Sequence, residues 1–152
     1  MRKCAILRFI FRRVPLKLTG IMESRKLALR CRELAENRKA EEVVVLDVRQ
    51  QSSITDYFVI ASATSEPHLR AIADEIQEKL VEHQGVRPRA VDGTVSTAWL
   101  VLDFFDVIVH LMRADVRQRY DLEGLWGDAA RLRARAKPKS KPKSKAKSKA
   151  KE

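Results

Sequence analysis

Cysteine is nearly missing: Cys4 and Cys31 are the two thiols in 152 residues. That is too few for the disulfide framework of a small secreted scaffold, and neither sits in a CxxC or Cys/His spacing that would hold a metal, so a reducing compartment suits the chain. Long apolar runs are missing too. The longest are broken by Arg or Asp well short of the roughly 20 residues that a membrane helix needs, which excludes a spanning helix. Histidine is scarce, with three in the chain. His68 and His83 are about four helical turns apart on one stretch, too far to share a ligand. No Gly-rich loop follows a strand, and Ser62 and Ser96 lack the context of a nucleophile elbow, so phosphate cradles and hydrolase triads have no foothold. Aromatic residues make up only 6% of the chain, and their concentration between residues 99 and 126 therefore stands out.

Positive charge, by contrast, is in excess at a net +11, and it is unevenly placed. Residues 1–22 hold six Lys or Arg and no acid, residues 23–130 hold fourteen bases and nineteen acids, and residues 131–152 hold eleven bases against Glu152 alone, or +6, −5 and +10. The basic character belongs to two appendages. The middle, 23–130, is mildly acidic, long enough for one domain with a sizeable core, and not a basic nucleic-acid-binding domain.

The leader MRKCAILRFIFRRVPLKLTGI is Arg-rich, acid-free and loosely amphipathic. Three readings stand for it: a mitochondrial transit peptide, an upstream extension with the true start at Met22, or a functional basic arm. The tail KPKSKPKSKAKSKAKE cannot bury enough apolar surface to fold and reads as disordered. Its Lys137, Lys139, Lys141, Lys143 and Lys145 suit nonspecific attraction to RNA phosphates, or simply solvate the chain end; no aromatic is present for stacking.

Within the middle, Leu27, Cys31, Leu34 and Ala35 recur at helical spacing. VVVLDV (43–48) and DYFVIAS (56–62) are β-branched runs that predict buried strands. Ser65 and Pro67 open a helix whose apolar stripe is Leu69, Ile72, Ala73, Ile76 and Leu80, and Gly85 ends it. RPRAVDG is extended, WLVLDFFDVIVHLM is a hairpin, and a short polar helix leads to DLEGLW. The expected architecture is a single α/β (α+β) domain with a mixed, mostly five-stranded sheet in the order α-β-β-α-β-β-β-α.

A two-residue turn at Phe104 and Phe105 would pair Asp103 with Asp106, Val101 with Ile108 and Trp99 with His110. The opposite face, Leu100 and Leu102 against Val107, Val109 and Leu111, is wholly apolar and must lie under helices. The Trp99 face mixes an aromatic, a histidine and carboxylates around an aliphatic centre, which suits a protein contact with a polar rim. Trp99 is a contact residue if that face is open, and a core residue if the last helix and Trp126 cover it. Chemistry has little to work with. Asp103 and Asp106 lack a third ligand for a metal, and Trp99 neither receives nor orients a proton of His110.

DYFVIAS, the DG at 92–93, WLVLD, DVIVH and RQRYDLEGLWGDA, in that order over about residues 25–130, resemble the ribosomal silencing factor family, also called Iojap. The resemblance implies a mixed-sheet fold similar to nucleotidyltransferases without their activity, with no cofactor and no metal. It implies binding to ribosomal protein L-fourteen on the joining face of the large ribosomal subunit, which sterically blocks small-subunit association and represses translation when nutrients are scarce. A homodimer through a sheet edge is also compatible with it. By motif, the partner-binding positions are Asp56, Tyr57, Trp99, Leu100, Asp103, His110 and Tyr120, with Arg119 and Trp126 also matching. The face argument puts Trp99, Asp103 and His110 on the docking side and Leu100 in the core. Asp92-Gly93 stands where the family has Glu-Gly, and Phe105 stands at a turn position where it favours Gly. The lysine-rich tail and a start at Met22 favour a bacterial cytoplasm, and the basic leader keeps the mitochondrial matrix as the alternative. The rival reading is an enzyme, a residual nucleotidyltransferase or metal-dependent hydrolase using Asp103, Asp106 and His110.

Overall fold

A computed structural model describes residues 22–133. The leader and the lysines from Lys137 onward lie outside the described residues. Helix α1 (Ser24–Asn37) buries Leu27, Ala28, Cys31, Leu34 and Ala35. An Arg32–Glu36 pair one turn apart supports its outer face. Burial pushes the Cys31 thiol up to about 12, so it is an inert apolar side chain rather than a nucleophile. After β1 (Glu41–Asp47) and β2 (Tyr57–Ala63) comes α2 (Glu66–Gln84). Ser65 Oγ caps α2 by accepting from the His68 amide at 3.3 Å. Gly85, left-handed at φ 65°, ends it, with the Val86 amide returning to the Leu80 carbonyl at 3.1 Å.

Strands β3 (Ala90–Thr94), β4 (Trp99–Asp103) and β5 (Val107–Arg113) follow. Then come α3 (Ala114–Tyr120), the four-residue α4 (Leu122–Leu125) and β6 (Ala130–Arg131). One mixed sheet has the order β3-β4-β5-β2-β1-β6. β2 and β5 pair in parallel at its centre and every other pair is antiparallel. β2 is therefore covered on both sides, which explains its nearly unbroken apolar sequence. Against the expected five strands there is a sixth, the two-residue β6 on the β1 edge. The closing helix is also split, because Asp121 takes a left-handed conformation at φ 39° between α3 and α4.

The β4–β5 register differs from expectation. Trp99 pairs with Met112, Val101 with His110 and Asp103 with Ile108, while Phe104, Phe105 and Asp106 form the connection. Phe105 adopts the left-handed φ of 69° in this connection, and the paired Asp103 and Ile108 enclose four residues where the expected register enclosed two. The Asp103–Asp106 cross-strand pair is thus absent. The slip is by two residues, so each side chain keeps its face. Leu100, Leu102, Val107, Val109 and Leu111 pack in the core under α1 and α2. Leu46, Val48, Ile60, Met112 and Ala129 form a smaller cluster on the other face, partly roofed by Val116, Leu122 and Trp126. Gly93, at φ 84° on the β3 edge, is required there, since a Cβ would come within 2.1 Å of the Trp99 carbonyl oxygen.

Candidate protein-docking face

The sheet face turned away from α1 and α2 is only partly covered. Trp99, Val101 and Asp103 of β4, Ile108 and His110 of β5 and Phe58 of β2 all retain partial exposure. Parity explains their company. Phe58 is the parallel partner of Ile108, and Val101 is the antiparallel partner of His110, so all six side chains rise from one face.

An aromatic chain crosses this face. Tyr120, at the end of α3, lies 4.9 Å from the Trp99 ring centroid, Trp99 lies 5.9 Å from His110, His110 lies 5.3 Å from Phe58, and Phe58 lies 5.2 Å from Trp126. All are tilted contacts within the range of favourable aromatic pairs. The Trp99 indole Nε1 donates to His110 Nδ1 at 3.3 Å, so the imidazole proton belongs on Nε2. Burial pushes the His110 pKa down to about 4, leaving the ring neutral near pH 7. Its work here is to orient Trp99. A groove of about 390 Å³ opens beside it, lined by Gly93, Thr97, Trp99, Val101, Val116, Arg119 and Tyr120. A larger groove of about 560 Å³ lies beside α2 and is lined by Gln77, Glu78, Val81, Glu82, Arg87 and Pro88. It contains no aromatic residue, and Lys79 already pairs with its Glu82.

The sequence-derived positions separate into three groups. Trp99, His110 and Tyr120 are brought together, and Tyr120 is 55% exposed. Asp103 shares their face at the far end of β4, where it accepts from Arg89 at 2.6 Å and from the Phe105 amide at 2.8 Å; Arg89 in turn lies over the Phe105 ring. Asp56 is at the start of β2, accepting from Ser24 Oγ at 3.1 Å, and its amide and that of Tyr57 both donate to the Asp106 carbonyl. The side chains of Tyr57 and Leu100 are buried at 1% and 8% exposure. Both belong to the core cluster on the helix-covered side of the sheet, behind the aromatic face.

Sequence reasoning passed over Phe58, whose run reads as continuously apolar, so that its face cannot be told by alternation. It also passed over Arg117. This residue is buried at 5% exposure and donates to Glu123 at 3.0 and 2.7 Å and to Ser62 Oγ at 2.8 Å. Its partners are distant in sequence or unrelated to helical spacing. Among the described residues no cluster of three or more His, Cys, Asp or Glu side chains could hold a metal ion, and no helix is long and apolar enough to cross a membrane.

Fold and face together define a small α/β domain that presents an ordered aromatic surface at one side of its sheet. The chain belongs to the family described as ribosomal silencing factor during starvation, whose model matches residues 21–152. It is 39% identical over 94 residues to the ribosomal silencing factor of Halalkalibacterium halodurans, covering 62% of this chain and 80% of that protein. It is also 34% identical over 96 residues to mouse mitochondrial assembly of ribosomal large subunit protein 1, covering 61% of this chain and 42% of that one. The crystal structure of a Chromobacterium violaceum protein superposes with a TM-score of 0.67 at 31% identity, covering 80% of this chain and 98% of the other.

Proposed function

We propose that this protein is a non-catalytic silencing factor. It docks on the large ribosomal subunit through ribosomal protein L-fourteen, excludes the small subunit from the joining face and so represses translation. The observation that carries this reading is the partly uncovered aromatic face around Trp99, Tyr120 and His110. Apolar and aromatic anchors held in fixed rotamers beside a polar rim are the anatomy of a protein interface. Family membership supplies the ribosome as its target. The functional groups of the face favour binding over catalysis, since Asp103 is engaged by Arg89 and His110 by the Trp99 indole. Asp56 forms a polar point beside the hairpin connection, at the same end of the sheet as Asp103 and away from Trp99.

The lysines from Lys137 to Lys145 add a sequence-independent attraction to ribosomal RNA phosphates, which strengthens docking at low salt. The setting is the bacterial cytoplasm, or the mitochondrial matrix if the leader is a transit peptide; a homodimer through the open β3 edge is a compatible resting form. Reassociation of purified subunits tests the central claim. Saturating wild-type protein should keep the subunits apart, and Trp99→Ala, shown folded by circular dichroism, should not. Unimpeded joining with the wild-type protein would overturn the reading.

A further inference from the structure

The outer edge of β1 is only half covered. Strand β6 pairs with Leu46 and Asp47, and the Leu132 amide then donates to the Val45 carbonyl at 2.8 Å, in register with those pairs. The Leu132 carbonyl accepts from Arg32 Nη1 at 3.2 Å, which ties the departing chain to α1. The described chain ends one residue later, at Arg133, and among the described residues no strand covers the edge from Val44 back to Glu41. Peptide groups along a strand face its two neighbours alternately, so Val43, two residues from Val45, also turns its amide and carbonyl outward. Val43 and Val45 pack on the helix side and Val44 on the other, so the alternation holds that far. β1 therefore presents an open edge of the kind that proteins normally close or block.

The sequence that arrives at this edge matches it. From Ala130 to Ala136, ARLRARA alternates a small or apolar residue with arginine, the period of a strand with one packed and one polar side. Leu132 packs against the main core on the helix side. Arg131 is on the opposite side, where its charge adds to the Arg117 hydrogen bonds that hold the Glu123 carboxyl below its ordinary range. In the same register Arg135 falls opposite Glu42, which lines, with Asp121 and Glu123, a hollow of about 140 Å³. We propose that residues 133–136 extend β6 along the open edge of β1, pairing Ala134 with Val43 and setting Arg135 beside the carboxylates of that hollow. The edge is thereby closed by the chain itself. Glu41 lies in one row across the sheet with Ser62, Met112 and Trp99. The lysines from Lys137 onward then leave the domain at the Trp99 end, four strand spacings, or roughly 19 Å, from β4. On the docking reading above, on which this last consequence rests, they start within reach of RNA phosphates flanking the partner protein.

Backbone amide exchange of the full chain, followed residue by residue by NMR, tests the edge without a ribosome, so its failure leaves the docking reading standing. The Val43 amide should be protected in the wild type. It should exchange about 10-fold faster in Ala134→Pro, which lacks the facing N–H and breaks the ladder, while the amides of the central strand β2 are unaffected. Arg135→Glu should speed Val43 exchange by about 2- to 5-fold, and combining it with Glu42→Arg should restore the wild-type rate. Equal Val43 exchange in the wild type and Ala134→Pro would overturn the proposal. Protection that grows with protein concentration would mean that a second copy occupies the edge, and would overturn it as well. Faster exchange in Arg135→Glu that the charge-swapped pair does not recover would overturn the register that sets Arg135 against Glu42.

Discussion

The two faces of the β4–β5 hairpin carry similar numbers of apolar residues but are used differently. Leu100, Leu102, Val107, Val109 and Leu111 disappear under α1 and α2. Trp99, Val101, Ile108 and His110, alternating with them along the same strands, keep contact with solvent, because only the short α3–α4 corner and Trp126 reach over them. The first face is a core in which each side chain is fixed by several neighbours. The second is a surface on which a few aromatic contacts and one indole–imidazole hydrogen bond fix the geometry while leaving area to be covered. On the docking function proposed above, fold stability and partner binding therefore fall to alternate residues of one hairpin, and single substitutions can separate them.

The sharpest test sets adjacent residues against each other. Leu102 is 0% exposed on the helix side, so Leu102→Ala should cost about 2 to 5 kcal/mol through lost burial and the cavity left behind. Val101→Ala, on the open side, should cost under about 1 kcal/mol. Urea unfolding of both variants checks this. Equal losses would mean that the second face is as closed as the first, and the proposed docking surface would go with the distinction.

The second test uses pH. The folded-state pKa of His110 is near 4, below the ordinary 6.5, because burial penalises the imidazolium. A base whose pKa is depressed on folding contributes stability that is fully present above pH 6.5 and is lost as pH falls from there toward 4, since the unfolded chain takes up the proton first. The expected loss is at most about 3 kcal/mol over that window. His110→Phe should remove that part of the acid sensitivity. A stability curve that is flat between pH 6.5 and 4 in the wild type would place His110 in water and dissolve the Trp99–His110 arrangement.

Much of this contrast is legible in the sequence, for a particular reason. Alternation along WLVLD and DVIVH assigns the faces, and a slip of two residues leaves that assignment intact. The register itself is not legible, because it depends on the backbone conformation of one residue, Phe105. DYFVIAS is a central strand buried on both sides, so nothing in its pattern distinguishes Tyr57, which is withdrawn, from Phe58, which joins the aromatic chain. Arg117 and Ser62 meet across 55 positions, a contact that no local spacing announces. β6 is two residues long and exists only because β1 offers it an edge.

Phe105 gives the smallest and most discriminating prediction. A phenylalanine at φ 69° sits where its Cβ crowds the backbone, at a cost of about 1 to 2 kcal/mol. Its ring is 60% exposed and gains little burial, although Arg89 stacks on it with the guanidinium 4.6 Å from the centroid. Phe105→Gly removes the crowding, loses the stacking and increases the entropy of the unfolded chain. The balance should therefore be a gain of no more than about 1 kcal/mol. Because the four-residue span from Phe104 to Val107 is retained, Asp103 should still face Ile108, and the proposed large-subunit binding through Trp99 should be unchanged. A clear loss of stability would mean that the Arg89–Phe105 stack, rather than backbone fit, holds the hairpin end. A loss of binding without a loss of stability would move that end from the edge of the docking surface into it, and make both faces of the hairpin tip part of the contact.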